Sequence, residues 1–207
     1  MKRAQGDADK NERRRSILNA AEVLLRDGGG GLPSAAAIAS AGGLAKGTLY
    51  IYFRTKEEIF AALLLHLWDP AFSMLVDELT RTDRVVADRI EKFVTGFVSY
   101  VDERPFLLRL DAVAKEVIER NMSVNALIAY KEAFGRSIEA VGIQIEAALD
   151  LPRGKGFQLV TRSHALMRGL WQSFGDPLPA LESYRHHPFA TELRDALIEY
   201  WRGALSR

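Results

Sequence analysis

Residues 34–53 read Ser34-Ala-Ala-Ala-Ile-Ala-Ser-Ala-Gly42-Gly43-Leu-Ala-Lys-Gly-Thr-Leu-Tyr-Ile-Tyr-Phe53, and this stretch decides the fold prediction. An alanine-rich segment predicts a short helix over residues 34–41, and a second short helix is predicted over residues 45–52. The two glycines between them tolerate a left-handed backbone, so the chain can reverse sharply without a Cβ clash. This arrangement is typical of a helix-turn-helix.

The second short helix has the side chains of a DNA-reading element. Leu49 and Phe53 lie four residues apart on one face, which we expect to be buried. Lysine, threonine and tyrosine donate hydrogen bonds to phosphate oxygens, and side chains near the helix start reach base edges. Gly47 leaves room for a close approach to DNA. The polar side chains that fall largely off the buried face are Lys46, Thr48, Tyr50 and Tyr52.

The order and spacing of some dozen residues resemble the signature of the tetracycline-repressor (TetR) family of regulators. The resemblance covers residues 13–65 without a gap. It implies an all-α homodimer whose N-terminal domain binds a palindromic operator, a double-stranded DNA site. It also implies a larger C-terminal domain that binds a small ligand and thereby releases the DNA. The matching residues are Ile38-Ala39, Gly43-Leu44-Ala45-Lys46-Gly47-Thr48-Leu49-Tyr50, Tyr52-Phe53 and Thr55-Lys56-Glu57-Glu58.

Matching the family signature position by position implies a set of DNA contacts, in which Lys56 holds a phosphate at the start of the next helix. The family usually has Ser or Thr where Ala45 stands, and losing such a helix cap costs about 1 kcal/mol. The methyl groups of residues 35–37 cannot read a donor or acceptor pattern, so specificity is expected to rest on few side chains or on DNA shape. The implied DNA-binding residues are Ser34, Lys46, Gly47, Thr48, Tyr50, Ile51, Tyr52 and Lys56.

Helical periodicity along the rest of the chain predicts an all-α fold of about nine to ten helices. We predict an N-terminal helix-turn-helix DNA-binding domain over residues 1–56 and a larger helical ligand-binding and dimerisation domain over residues 57–207. Thr55 and Glu58 form a predicted capping box, and Asp69-Pro70 marks a bend or a new helix start. Beyond the two short helices, the predicted helices cover residues 11–27, 56–68, 70–80, 84–103, 105–120, 124–149, 155–174 and 188–205.

The net positive charge of the chain is concentrated in its N-terminal part. Residues 1–56 hold ten Lys or Arg and five Asp or Glu, whereas the rest of the chain holds eighteen and twenty-two. A basic module suits contact with the DNA backbone, although an ordinary solvated surface explains so modest an excess equally well. For the Arg13–Arg15 triplet, a phosphate clamp or minor-groove arm and a solvated helix end both stay open.

Several other classes of protein are disfavoured. The chain has no cysteine, which excludes disulfides and Cys-ligated zinc. The glycine run Gly28–Gly31 follows a helix rather than a strand, so it is not a dinucleotide loop. The longest wholly apolar stretch, residues 59–65, is too short to cross a bilayer. We therefore expect a cytoplasmic protein that is not an enzyme, has no membrane partner and needs no cofactor or metal.

The last two long helices carry wide apolar faces, and in the family the corresponding pair forms a four-helix bundle across a two-fold axis. A dimer is also required by DNA geometry, since two recognition helices read adjacent major grooves only when held about 34–36 Å apart. Packing within one chain remains the alternative. The predicted dimer contacts are Phe157, His164, Trp171, Leu193, Leu197 and Trp201.

An effector pocket is expected among the aromatic and methionine side chains of the larger domain, although ordinary core packing explains any one of them. The expected pocket residues are Phe97, Tyr100, Phe106, Phe134, Met167 and Trp171. The sequence thus predicts a sequence-specific transcription regulator, a repressor released from a palindromic operator by a small hydrophobic or amphipathic effector. The alternative is a helical protein-interaction module with weak, non-specific DNA binding.

Overall fold

The computed structural model describes residues 2–28, 31–175 and 188–206, so Gly29 and Gly30 lie outside the described residues. Within these ranges the chain contains nine α-helices and no strand, which confirms the predicted all-α fold class. A π-helical turn at Ala114–Ile118 and a 3₁₀ turn at Glu119–Asn121 follow the sixth helix. The helices are α1 (Lys2–Asp27), α2 (Ala35–Ala41), α3 (Lys46–Tyr52), α4 (Lys56–Leu79), α5 (Val86–Asp102), α6 (Pro105–Val113), α7 (Val124–Leu149), α8 (Lys155–Phe174) and α9 (Phe189–Leu205).

Most predicted helix boundaries agree closely with the structure. Helices α7 and α8 begin and end at the predicted residues. Helices α2, α3 and α9 begin one residue later than predicted, because the first predicted residue of each is the N-cap. An N-cap residue has extended backbone angles and is only half in the helix, so this difference is one of definition.

The structure corrects three boundaries. Helix α1 begins at Lys2 rather than at residue 11, since apart from Gly6 no strong helix breaker stands among residues 2–10. The predicted helix 105–120 ends as an α-helix at Val113 and continues as the π and 3₁₀ turns. There the side-chain amide of Asn121 donates a hydrogen bond to the carbonyl oxygen of Val117 at 2.6 Å.

The third correction concerns Pro70, which lies inside the continuous helix α4 rather than at a break. A proline removes the N–H that would bond the carbonyl of residue 66 and usually kinks or ends a helix. His66 is exposed, so its carbonyl can bond water instead. Buried side chains on both sides, Trp68 and Ala71 among them, hold the helix through this point.

The chain divides into two compact units. Unit 1 consists of Met1–Leu67 and Arg109–Lys131, and its helices α1, α2 and α3 pack on one another around fully buried side chains. Unit 2 consists of Trp68–Leu108 and Glu132–Arg207. The functional division predicted at residues 56 and 57 stays a prediction. The fully buried side chains at the centre of unit 1 are Ile17, Ala21, Ile38 and Leu49.

Three pairs of helices in unit 2 pack closely together. Helix α9 packs against both α5 and α8. Helices α7 and α8 approach so closely that a Cβ built on Gly156 would lie 2.1 Å from the carbonyl oxygen of Gly142. The backbone N–H of Gly156 also donates a hydrogen bond to the Glu146 carboxylate at 2.9 Å. Only glycine fits where two helix backbones meet in this way.

Helix α4 alone among the described residues is long and apolar enough to cross a membrane, with a mean hydropathy of 1.7 over eighteen residues. Half of that window is buried inside the protein. A core helix that packs on several sides has the same composition, so the pattern is weak evidence for a membrane span.

Candidate nucleic-acid interface and ligand cavity

The turn between α2 and α3 fixes the geometry of the helix-turn-helix. The Ser34 hydroxyl accepts a hydrogen bond from the backbone N–H of Ala37 at 3.1 Å and so caps α2. At the other end, the Leu44 N–H donates to the Ala39 carbonyl at 2.8 Å, and the Gly43 N–H donates to the Ser40 carbonyl at 3.1 Å. These two bonds form a Schellman motif. Gly43 has a φ of +65°, the left-handed conformation that the double glycine predicted.

Helix α3 presents a buried side and an exposed side. Leu49 and Phe53 are buried, as the spacing predicted. On the other side Tyr50 is 42% exposed and Ile51 is 75% exposed. The structure therefore brings the predicted recognition residues together on one short element with its apolar side packed in unit 1. Of the other predicted residues of α3, Lys46 and Gly47 are exposed, and Thr48 and Tyr52 are partly exposed.

The start of α3 lacks a side-chain cap. Ala45 has the extended backbone of an N-cap (φ −67°, ψ 143°), but its methyl group accepts no hydrogen bond. Its carbonyl oxygen accepts hydrogen bonds from the N–H groups of Thr48 at 2.9 Å and Leu49 at 3.3 Å. The departure from the family signature at this position therefore leaves the first turn of α3 without the hydroxyl that would normally cap it.

The predicted capping box sets the start of α4. The Thr55 hydroxyl accepts a hydrogen bond from the Glu58 N–H at 3.2 Å. The Glu58 carboxylate accepts one from the N–H of Arg54 at 2.9 Å, one residue before the usual partner in such a box. Lys56 therefore stands in the first turn of α4 with its side chain 41% exposed, and its ammonium nitrogen lies 3.9 Å from the Glu57 carboxylate.

Arg14 holds the far end of α3. Its guanidinium Nη1 donates a hydrogen bond to the carbonyl oxygen of Tyr52 at 2.8 Å, and its Cζ lies 4.1 Å from the centroid of the Phe53 ring. A cation at a helix C-terminus and over an aromatic face is stabilising. Sequence reasoning missed this role, because α1 and the end of α3 are far apart in the chain. Arg13 and Arg15 are exposed, so both of their predicted alternatives stay open.

Unit 2 contains a small apolar cavity of about 40 Å³ among α4, α5, α7, α8 and α9. Of the predicted pocket residues, Phe97 and Phe134 line it. The other four do not line this cavity: Phe106 and Met167 are buried elsewhere, the Tyr100 ring lies under the Arg104 guanidinium at 4.2 Å, and Trp171 packs edge-on against Phe189. Further aromatic walls of the cavity are Trp68, Phe72, Phe93, His164 and Trp201.

Three of the predicted dimer contacts lie in the core of unit 2. Leu193, Leu197 and Trp201 are fully buried within the chain. The Trp201 indole N–H donates a hydrogen bond to the Ser163 hydroxyl at 2.9 Å, and its ring meets that of Phe93 at 5.7 Å. For these three side chains the structure shows the intrachain packing that the sequence left open.

The remaining predicted dimer residues differ in exposure. His164 lies edge-on to the Trp68 ring at 5.4 Å and to the Phe134 ring at 5.7 Å, so it belongs to the cavity wall. Trp171 is half-buried against Phe189. Phe157, at 42% exposure, keeps a large apolar surface toward solvent. The described residues contain no cluster of His, Asp or Glu suited to a metal ion.

An all-α chain with a helix-turn-helix, an exposed recognition helix and a second helical unit defines a helical DNA-binding regulator. Residues 17–63 match the family model for bacterial regulatory proteins of the tetR family, and residues 67–207 match the model for a tetracyclin repressor-like C-terminal domain. The second match covers more than half of the chain. The chain therefore belongs to the TetR family of transcriptional regulators, with a DNA-binding domain at its N-terminus.

Three individual proteins that resemble this chain share between 14% and 30% of their aligned residues with it. The nucleoid occlusion factor SlmA of Marinomonas sp. (strain MWYL1) is 30% identical over 110 residues, which are 52% of this chain and 55% of that protein. The chain thus matches about half the length of this curated relative. A tetR-family regulator from Streptomyces coelicolor superposes with a TM-score of 0.61 at 20% identity, covering 94% of this chain and 80% of that one.

A third relative was solved with a ligand. The transcriptional regulator FadR from Bacillus subtilis, in complex with stearoyl-CoA, superposes with a TM-score of 0.54 at 14% identity. The match covers 89% of this chain and 95% of that chain. At such identities the structural matches establish the fold alone.

Proposed function

We propose that the protein is a homodimeric repressor that binds a palindromic operator through α3 and leaves it when a small apolar or amphipathic effector binds in unit 2. The observation that carries the proposal is the two-sided packing of α3. Leu49 and Phe53 anchor the helix, while Tyr50 and Ile51 project from it into solvent. Single exposed apolar side chains are common on protein surfaces, and at this position on α3 a thymine methyl group offers Ile51 an apolar contact.

The contacts divide into two kinds. Lys46, Thr48 and Tyr52 supply hydrogen bonds to phosphates or base edges at the recognition helix, with Gly47 allowing close approach. Lys56 supplies a phosphate contact in the first turn of α4. Ser34 already accepts the capping bond of α2, and its exposed hydroxyl still has a proton to donate to a phosphate oxygen.

A dimer is required for such a site to read a palindrome, since the half-sites lie about one helical turn apart. Phe157 supports α8 as a partner surface because it remains exposed in the single chain. The exposed positions Thr161, Ala165 and Gly169 of the same helix would allow a second helix to approach closely. Burial of Leu193, Leu197 and Trp201 inside the chain leaves α8 as the better candidate.

Release is proposed to follow from a population shift. The cavity holds about 40 Å³, whereas pockets for drug-sized ligands hold about 300–1,000 Å³. An effector therefore binds better to a state in which the walls of the cavity have moved. Helix α4 begins in unit 1 and ends in unit 2, so it is the proposed carrier of that change. The effector can shift the equilibrium only by its difference in affinity between the two states.

Selection of duplexes from a random-sequence pool tests the proposal. A discrete palindromic site that the protein binds as a dimer is the expected result. Binding without sequence preference that disappears with rising salt would instead favour the helical interaction module. An Ile51→Ala variant tests the contact surface, with Ile143→Ala as the control, since Ile143 is 58% exposed on α7. Loss of the selected site by the first variant alone is expected, and equal behaviour of both would contradict the assignment of α3.

A further inference from the structure

The wall of the cavity in unit 2 is mainly aromatic and aliphatic. Among the residues that the structure describes, the lining contains aromatic and aliphatic side chains with one serine and one histidine, and no lysine, arginine, aspartate or glutamate. The serine hydroxyl is already used, because Ser163 donates to the Leu159 carbonyl at 2.8 Å and accepts from Trp201. Burying a charge in such surroundings without a partner is strongly unfavourable. The wall therefore selects against ions.

Two neighbouring aromatic rings of the cavity wall are partly exposed. Phe72 on α4 lines both the cavity and an outer groove of about 460 Å³ between α4 and α7. The Phe72 and Phe134 ring centroids are 6.1 Å apart. Both side chains are only half-buried, whereas the other phenylalanines of the wall are buried. Because Phe72 lines both spaces, displacement of its ring would join the small cavity to the larger groove.

The outer groove favours neutral over anionic molecules. Its only charged lining residues, among those the structure describes, are the exposed carboxylates Asp69 and Asp77. Within the described ranges, no lysine or arginine lines the groove to attract a carboxylate or phosphate. An anion approaching Phe72 thus meets like charge first and an apolar wall second.

One wall residue lacks a hydrogen-bond partner. Trp68 is 3% exposed, and within the described part of the chain its indole Nε1 has no acceptor. An unpaired buried donor is costly and becomes satisfied when an acceptor is supplied. The ring of Trp68 meets His164 edge-on, so the aromatic surface around it suits a planar ligand.

We infer that this cavity, once enlarged by displacement of Phe72 and Phe134, takes an uncharged, largely apolar molecule of up to two fused aromatic rings that carries a hydrogen-bond-accepting oxygen, and that the molecule passes between Phe72 and Phe134. The inference rests on the proposed function, because it names the chemical class of the effector. It excludes long-chain carboxylates and their thioester anions, although a relative of the same fold was solved with stearoyl-CoA.

Three probes of matched shape test the chemistry on the full-length protein by calorimetry at pH 7.5. They are 2-acetonaphthone, which is neutral with an acceptor, 2-isopropylnaphthalene, which is neutral without one, and 2-naphthoate, which is an anion. The ketone is expected to bind, and the naphthoate to bind more than about a hundredfold more weakly. Equal affinity for ketone and naphthoate, or no binding of the ketone, would overturn the inference.

A Trp68→Phe variant tests the hydrogen bond. Its affinity for the ketone is expected to fall by about 3- to 10-fold, with the hydrocarbon unaffected within twofold. Trp171→Phe is the matched control, because Trp171 lies outside the cavity wall. A Phe72→Ala variant is expected to take up the ketone faster, and an unchanged association rate would contradict the proposed path.

Operator binding without any probe separates this inference from the proposed function. A protein that selects a palindrome yet ignores the ketone refutes the ligand class and leaves the repressor proposal intact. A protein that binds the ketone with the expected Trp68 dependence but selects no DNA supports the cavity inference and refutes the repressor proposal.

Discussion

The crossing of α7 and α8 yields a prediction whose size can be worked from the structure. A Cβ on Gly156 would lie 2.1 Å from the Gly142 carbonyl oxygen, 2.7 Å from its carbonyl carbon and 2.8 Å from its Cα. All three atoms belong to backbone, so no side chain can move aside to relieve the overlap. Gly156→Ala therefore forces the two helices apart by more than half an ångström.

Two effects oppose each other in this variant. Overpacking of this kind costs about 1–3 kcal/mol, and backbone-to-backbone overlap places it at the upper end. Alanine regains up to about 1 kcal/mol relative to glycine inside a helix. The net loss in the free energy of unfolding is therefore about 2 kcal/mol, which corresponds to a fall in Tm of about 4–8 °C for a chain of this length.

Thermal unfolding followed by circular dichroism at one fixed protein concentration measures the effect, since the Tm of the proposed dimer would depend on concentration. Gly135→Ala is the matched control on α7, because a Cβ there meets nothing within 4 Å. The control is expected to keep or raise the Tm. A Gly156→Ala protein as stable as the control would refute the crossing geometry on which the ligand cavity depends.

Three further predictions concern the DNA-binding unit. Lys56→Ala is expected to reduce the steepness with which log K for operator binding falls with log salt by about 1.8, because the proposed dimer would lose two phosphate contacts. Lys92→Ala, at an exposed position of α5, is expected to keep the wild-type slope, and equal slopes in the two variants would remove Lys56 from the interface. Arg14→Ala is expected to speed amide hydrogen exchange over residues 46–53 in the DNA-free protein, because the Arg14 guanidinium bonds the carbonyl at the end of α3. Arg13→Ala, at an exposed neighbouring position, is expected to leave the exchange unchanged, and identical exchange in the two variants would argue against the role of Arg14. Ala45→Ser is expected to add about 1 kcal/mol to stability by capping α3, and an unchanged denaturation midpoint would show that the first turn is already satisfied.

Features that depend on neighbouring residues were predictable from the sequence. The double glycine predicted the turn, and Thr55 with Glu58 predicted the capping box. In each case a backbone group finds its partner within a few residues, so residue type and spacing contain the information. The ends of α7 and α8 follow for the same reason, since helical periodicity is a local property.

Features that depend on distant residues were not predictable in this way. The wide apolar face of α9 predicts that Leu193, Leu197 and Trp201 are buried. Helical periodicity cannot tell whether the surface that covers them belongs to the same chain or to a second copy. Trp201 is paired with Ser163 and Phe93, both far away in sequence. The cavity has the same origin, because its walls come from five helices whose arrangement no single segment encodes.

The stability of the recognition helix α3 depends both on residues next to it in the sequence and on a distant one. Helix α3 has seven residues and no side-chain cap, and so short a helix is not stable by itself in water. The missing cap costs about 1 kcal/mol at its first turn. At its last turn, the hydrogen bond from the Arg14 guanidinium to the Tyr52 carbonyl is worth about 1.5–3 kcal/mol because the donor is charged. The stabilisation that Arg14 gives the C-terminal end of α3 thus offsets the stabilisation lost at its N-terminal end, where Ala45 provides no cap. Since the contact binds backbone rather than side chain, it fixes the position of α3 without using any group that is proposed to touch DNA.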